Sequence, residues 1–470
     1  MLRNGISSEE NHGYIVKAMS VIQTSNLQLK YIFARLRKSS FVKNVLIVMS
    51  GTAIAQIIGF ALIPIISRLY SPSDFGVFGS FNAVLTVIAA GVTLDYTLAI
   101  MLPKQKEDAI NTFMLSCVIT AIVSGCCLAV CLFAPSFFQD LIKAQNNWIL
   151  VFLILAIFVS GLNRAFQAWC VRVKAFKHTS ASQIIRSLSS SGTQVGLGYL
   201  HGGPFALVCG VVLGNMLASF NLARVVLRDL MALRRNIRWN RMKQLAIEYR
   251  DFPMYSASEN VINALSAGLP IILLTHFYGI AVAGAYAFGM RILHAPMRLI
   301  LMALRQVLFQ KASETHNSGG HLLPLYIKIT SGLFALAFVP SLILIVWSPQ
   351  IFSWVFSSQW YTAGEFVQSL VFWMMFVFCN VPAVLFARVV RIQRFVFFYN
   401  LLLLAMRVLA LVLGGLYLSS LHTIMLFALV GAGMNVFLIL RVGYILMKKE
   451  GQDNLDLKFP DEMKEHSYVS

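Results

Sequence analysis

The sequence predicts an all-α, polytopic membrane protein of about twelve transmembrane helices, and three observations predict it. Hydrophobic residues make up 58% of the chain and charged residues 12%, with a mean hydropathy of +0.73. A globular surface needs more polar side chains than that. The apolar residues fall in successive runs close to the ~20 residues a bilayer core requires. Basic residues collect in alternate turns between the runs. In a soluble chain a net charge of +19 would suggest nucleic acid. Distributed this way it is a topology signal, and no nucleic-acid partner is expected.

In chain order, residues 1–42 read as a polar tail that turns basic at Lys30, Arg35, Arg37 and Lys38. No cleavable leader is read at the start, since the first apolar run begins near Val45, and Met19 is a second candidate initiator. The first bundle, residues 43–228, is expected to hold spans at Lys43–Ser67, Val77–Leu102, Ala109–Pro135, Trp148–Cys170, Ala181–Leu200 and Pro204–Leu227. Ala181–Leu200 is the weakest span, rich in Ser and Gly and carrying Arg186; so polar a helix requires protein on most sides. A basic connector, residues 229–250, reads either as an amphipathic helix on lipid headgroups or as a solvated linker. The second bundle, residues 251–447, is expected at Pro253–Tyr278, Ala281–Lys311, Pro324–Ser348, Thr362–Val390, Phe395–Leu418 and Leu421–Met447, followed by a tail over 448–470. Loop charge places both termini in the cytoplasm of a cell whose inner membrane holds the chain. Trp354, Trp360 and Tyr361, on the longest outer turn, read as interfacial anchors.

The halves open alike. Ile63-Pro64-Ile65-Ile66 resembles Leu269-Pro270-Ile271-Ile272, and after a two-residue slip Gly76-Val77-Phe78 parallels Gly284-Ala285-Tyr286. Repeats with the same orientation imply two six-helix bundles related by an axis along the membrane normal, facing each other across a central cavity.

The candidate site centres on Ala281–Lys311, an apolar segment that carries Arg291, His294, Arg298 and Arg305. Seven residues bring a helix back to within roughly 20° of its starting face, so the three arginines form one stripe. An Arg at mid-membrane costs about 2.5–3.5 kcal/mol on an insertion scale, which turns the stripe toward a polar interior. Guanidinium binds phosphate oxygens bidentately and stays charged when desolvated, so Arg291, Arg298 and His294 are expected to hold an anionic cargo, with Arg305 either joining them or snorkelling. Gln56, Asn82, Asn260 and Asn263 are candidates for hydrogen bonds to cargo or between helices. Arg186, Arg164 and Arg407 extend the positive lumen or pair with acids, and Arg68 sits near the outer mouth as a release contact or a headgroup anchor. Asp95 and Glu259 read as acids inside apolar spans. Such a carboxylate pairs with an arginine or takes up a proton, and either suits a coupling or gating role.

No enzymatic arrangement is present: no GxSxG, P-loop or metal-spaced His/Asp cluster occurs. The seven cysteines fall in or beside apolar runs and read as packing residues. No catalytic residue, cofactor or metal is expected.

Taken together, Gly51–Phe81, Leu94–Lys104, Leu162–Ser187, Tyr249–Gly279 and Gly284–Glu314 resemble the bacterial polysaccharide and O-antigen flippases of the multidrug/oligosaccharidyl-lipid/polysaccharide exporter superfamily. The resemblance implies alternating-access transport of an undecaprenyl-diphosphate oligosaccharide for O-antigen, capsule or exopolysaccharide synthesis. It also implies contact with membrane lipids, a polysaccharide polymerase and a chain-length regulator; a multidrug exporter is the alternative. Arg291 matches a frequent family arginine. Leu94-Asp95-Tyr96-Thr97 departs from a common Leu-Arg-Tyr-Glu, and Arg298 and Arg305 look particular to this chain.

Overall fold

A computed structural model of the chain describes residues 40–144, 146–317, 320–390 and 392–458. The residue 1–39 tail, Arg391 and residues 459–470 lie outside the described residues, as do the side chains of Arg298 and Arg305. Among the described residues there are helices and no strands. The first half runs α1 (Ser40–Ala61), α2 (Ile63–Leu69), α3 (Pro72–Gly91), α4 (Tyr96–Ala99), α5 (Lys106–Phe133), α6 (Pro135–Ile142), α7 (Trp148–Arg172), α8 (Phe176–Tyr199) and α9 (Gly203–Leu233). A connector helix α10 (Trp239–Glu248) leads through a π-helical turn, Phe252–Ala257, into α11 (Ser258–Tyr278). There follow α12 (Ile280–Asn317), α13 (Leu322–Phe356), α14 (Tyr361–Cys379), α15 (Val381–Val389), α16 (Gln393–Tyr417) and α17 (Ser420–Lys458).

Among the described residues, ten helical segments are long and apolar enough to cross a membrane. The expected fifth and eighth spans are helices too, α8 with 24 residues and α12 with 38, but they are more polar than those ten. Both line the cleft described below, which supplies the polar surroundings their residues need. The first span breaks at Leu62, where Pro64 enters the first turn of α2. Its counterpart Pro270 stays inside α11 without a break.

The pseudo-repeat appears as reciprocal contacts. A Cβ on Gly76 would lie 2.0 Å from the Ile280 carbonyl oxygen, and one on Gly284 would lie 1.8 Å from that of Pro72. Each glycine thus faces the carbonyl four residues before its own counterpart, so α3 and α12 cross backbone to backbone. One turn deeper, a Gly79 Cβ would meet that of Ala287 at 3.0 Å. Tyr70 donates to the Gln194 carbonyl on α8, and Tyr278, its counterpart, donates to the Gly414 carbonyl on α16 at 2.8 Å. Contacts of this two-fold kind need equivalent residues in equivalent places, as a repeat supplies.

The end away from the termini is sealed. Phe288 stacks on Trp360 at 3.9 Å, and Phe75 meets both edge-on at 5.2 and 5.1 Å. The Trp360 indole N–H donates to the Ser67 carbonyl at 2.7 Å, and the Gln359 amide donates to the same oxygen at 2.8 Å. Trp360 is fully buried, which corrects its reading as an interfacial anchor: its indole finds a partner in the other half rather than in headgroups. Trp354 is 84% exposed and keeps that reading.

At the other end one face of the connector docks on the first half, while Trp239, Lys243 and Ile247 stay exposed. Arg241 donates to both Asp108 carboxylate oxygens at 2.7 Å from Nε and Nη2. Asn111, on the same first turns of α5, donates to the Asn236 carbonyl and accepts from the Arg238 amide, both at 2.9 Å. The Tyr96 hydroxyl donates to the Ala246 carbonyl at 2.8 Å. The fork–fork geometry of a guanidinium on a carboxylate fixes orientation as well as proximity, so α10 is fastened to the first half.

Candidate functional site

A chamber of about 450 Å³ lies beneath the aromatic seal, between α1, α3, α11 and α12. A second of about 680 Å³ extends from it into the first half, toward α7, α8 and α9. Gln56, Gly59, Asn82, Thr86 and Arg291 line both, so the two form one cleft.

Packing places the cations in its walls. On α9, Gly210 and Gly214 form a small-xxx-small pair whose Cβ positions would fall 2.7 Å from the Ser190 carbonyl and 2.8 Å from the Arg186 carbonyl. That approach presses α9 on the back of α8 and presents Gln183, Arg186, Ser187 and Ser190 (i, i+3, i+4, i+7) to the cleft,. Arg186 lies ten residues into α8, ~15 Å from its start, near the middle of a ~30 Å bilayer core. Arg164 reaches the cleft from α7 beside Ser160 and Gln167. Both arginines are exposed, and what they are exposed to is the cleft.

Arg291 and His294 come from α12, held against α3 by the glycine crossing. The Arg291 guanidinium sits 5.9 Å from the Phe75 ring centroid, directly under the seal. Three guanidiniums and one imidazole therefore line the cleft, and no carboxylate does among the described residues. The first-half wall is rich in Ser, Asn and Gln. The facing wall is mostly apolar, with Ala267, Gly268, Ile271 and Met290.

Other expected site residues fall elsewhere. Asp95 is not inside a helix: α3 ends at Gly91, and Leu94 and Asp95 take left-handed backbone conformations at φ 46° and 56°. Its carboxylate is 4% exposed and accepts from Ser256 Oγ and Asn260 Nδ2, both at 2.6 Å. Asp95 belongs to the first half, while Ser256 lies in the π turn before α11 and Asn260 in the first turn of α11, so this is a clasp between halves near the termini end. Asp95 makes no direct ion pair among the described residues, although its charge acts on Arg164. Asn260 is engaged by Asp95 rather than aimed at cargo.

Glu259 lies inside the candidate span Phe252–Tyr278, as expected, but is exposed in the first turn of α11 and stands outside the cleft. With Asn263 it borders a crevice of about 10 Å³ against α16, too small for more than a water. Arg68 is exposed at the end of α2 and outside the cleft. Arg407 is inside the second half, its guanidinium 4.7 Å from the Trp373 ring and 5.6 Å from that of Phe427, with Nη1 3.4 Å from Ser266 Oγ.

Thr86, Gln167, Gln183, Ser190 and Asn215 line the cleft but were not expected there. For α8 the signal was present, since its polar residues recur at helical spacing on one face.

Ten apolar spans, a same-sense repeat and a cleft at mid-membrane depth define a multi-span membrane protein with a transporter fold. Solved structures with this fold include the lipid II flippase MurJ in an inward closed conformation, at TM-score 0.67 and 13% identity, covering 89% of this chain and 94% of that one. An inward-facing multidrug resistance MATE family transporter of the MOP superfamily aligns at TM-score 0.65 and 11% identity, covering 86% and 96%. An outward-facing one aligns at 0.52 and 12%, covering 88% and 97%. No curated protein matches the sequence. The family model described as "Polysaccharide biosynthesis protein" matches residues 65–365, and the chain belongs to that family.

Proposed function

We propose that this protein is a flippase that moves an undecaprenyl-diphosphate-linked oligosaccharide from the cytoplasmic to the outer leaflet of a bacterial inner membrane, for O-antigen, capsule or exopolysaccharide synthesis. The observation that carries this reading is one cleft whose lining brings together Arg164, Arg186 and Arg291 and, among the described residues, includes no carboxylate. Desolvated guanidinium forks suit a diphosphate. The Ser, Asn and Gln of the first-half wall offer hydrogen bonds to sugar hydroxyls, and the polyprenyl chain stays in the bilayer. An exporter of organic cations would call for carboxylates in these walls, so the lining favours an anionic cargo. Loop charge sets the termini in the cytoplasm, so the sealed end faces outward and the cleft belongs to an inward-directed state. Arg298 lies two turns along α12 from Arg291 and is retained as a cargo contact. Arg68, Asn263 and Glu259 are assigned no cargo contact, and Arg407 is assigned to holding the second half together. The direct test is to delete the gene and extract lipid-linked oligosaccharides. Repeat units should accumulate on the cytoplasmic leaflet and clear on complementation; an unchanged pool would refute the assignment.

The Asp95 clasp is the proposed gate on the cytoplasmic side. A hydrogen bond to a charged group contributes about 1.5–3 kcal/mol, and two join the halves here. Asp95→Asn is expected to lower flux about tenfold or more at unchanged membrane level. Flux equal to wild type in that variant would remove Asp95 from the gating cycle.

A further inference from the structure

A groove of about 620 Å³ runs down the outside of the second half between α13 and α17, apart from the cleft. Its walls are almost wholly apolar, among them Ile327, Phe334, Phe376, Leu440 and Tyr444. From Leu323 to Phe334 it extends ~16 Å along α13, about half the ~30 Å hydrocarbon core and so the depth of one leaflet. Gly443 keeps it open: a Cβ there would already press on the Tyr326 ring at 3.3 Å. Tyr326, in the floor, is anchored by its hydroxyl to the Ile439 carbonyl at 2.8 Å. The groove is therefore built into the fold.

Basic residues stand beside it: Lys448 follows the last lining residue of α17, Met447, at the termini end, while Lys328 on α13 and Arg441 on α17 lie part-way along it, and all three are exposed. Arg441 lies over the ring of Tyr444, a wall residue, at 5.5 Å. The acid at that end, Glu450, is engaged by the Leu323 amide at 2.7 Å and by His321 at 3.5 Å. An acyl-sized slot with Lys448 at its end and two long cationic side chains beside it, able to snorkel toward the headgroup level, matches a lipid that is itself anionic, since basic residues near a membrane surface attract acidic headgroups. We propose that this groove holds one acidic glycerophospholipid of the leaflet at the termini end, its chain in the slot and its phosphate among Lys328, Arg441 and Lys448.

The test is native mass spectrometry of the full-length protein released from nanodiscs containing phosphatidylglycerol, phosphatidylethanolamine and polyprenyl phosphate. The wild type is expected to retain one phosphatidylglycerol through delipidation. Lys328→Gln/Arg441→Gln/Lys448→Gln should weaken that retention about tenfold or more while leaving the thermal midpoint in neutral detergent unchanged. Ser331→Trp, which fills the slot from an exposed lining position and leaves the charges alone, should abolish it. Equal retention of phosphatidylethanolamine, replacement by polyprenyl phosphate, or an unaltered adduct in either variant would each overturn the assignment. The outcome does not depend on what the central cleft carries.

Discussion

Replacing Arg291 by Glu is expected to abolish export, lowering lipid-linked repeat-unit transfer by at least about a hundredfold, while the protein reaches the membrane at its normal level. The charge stands at the junction of the two chambers, so under the proposed function reversal both removes a phosphate contact and places an anion in the path of an anionic cargo. Truncating one partner of a buried charge pair costs about 2–5 kcal/mol, and repulsion adds to that. Arg291→Lys should fall between, because the ammonium keeps the charge but loses the planar fork. Arg68→Glu supplies the contrast: it adds the same charge change on an exposed residue outside the cleft and should leave transfer within about twofold. Normal transfer by Arg291→Glu, measured in a deletion strain, would contradict the cargo assignment and leave the fold untouched.

Gly284→Val is expected to prevent the two halves from docking. The first added carbon would fall 1.8 Å from the Pro72 carbonyl oxygen and 2.7 Å from the Gly76 amide nitrogen, both backbone atoms near the start of α3. Overpacking typically costs about 1–3 kcal/mol where side chains can yield; here backbone must move, so a larger loss follows. Size-exclusion chromatography of the detergent-solubilised variant should show aggregated or degraded protein, and a thermal scan should show a lowered midpoint. Gly332→Val is the matched control, since nothing lies within 4 Å of its Cβ position. Equal behaviour of the two variants would mean that the crossing does not join the halves.

Composition alone made the helical membrane class legible, because a hydrophobic excess on this scale leaves a bilayer as the only solvent. The repeat was legible through Gly76 and Gly284, residues whose place in both halves is dictated by the contact they make with each other. Arg291 was readable because a cation in an apolar run has few affordable surroundings. Arg186 was seen, but the polarity of α8 was attributed to packing. The face that Gln183 and Ser190 share with it depends on where α9 presses, and Gly210 and Gly214 sit in a different span. Asp95 was misplaced because the apolar run continues past Gly91, where α3 ends, and nothing in Leu94 or Asp95 announces their left-handed conformations. Trp360 was misread because an indole at a span end looks the same whether its partner is a headgroup or the Ser67 carbonyl. Long-range partners of this kind have no local signature.

The fastening of α10 to α5 carries a mechanical consequence. With the connector bound to one half, covalent slack between the halves is confined to the stretch from Tyr249 to Ala257. Should the π turn Phe252–Ala257 pull out completely, its six residues would span only ~20 Å. The tether is thus too short for the halves to part and long enough for them to tilt. Any motion between them is therefore that of a rocker on a short leash, and a route between the halves would open by inclination rather than by separation.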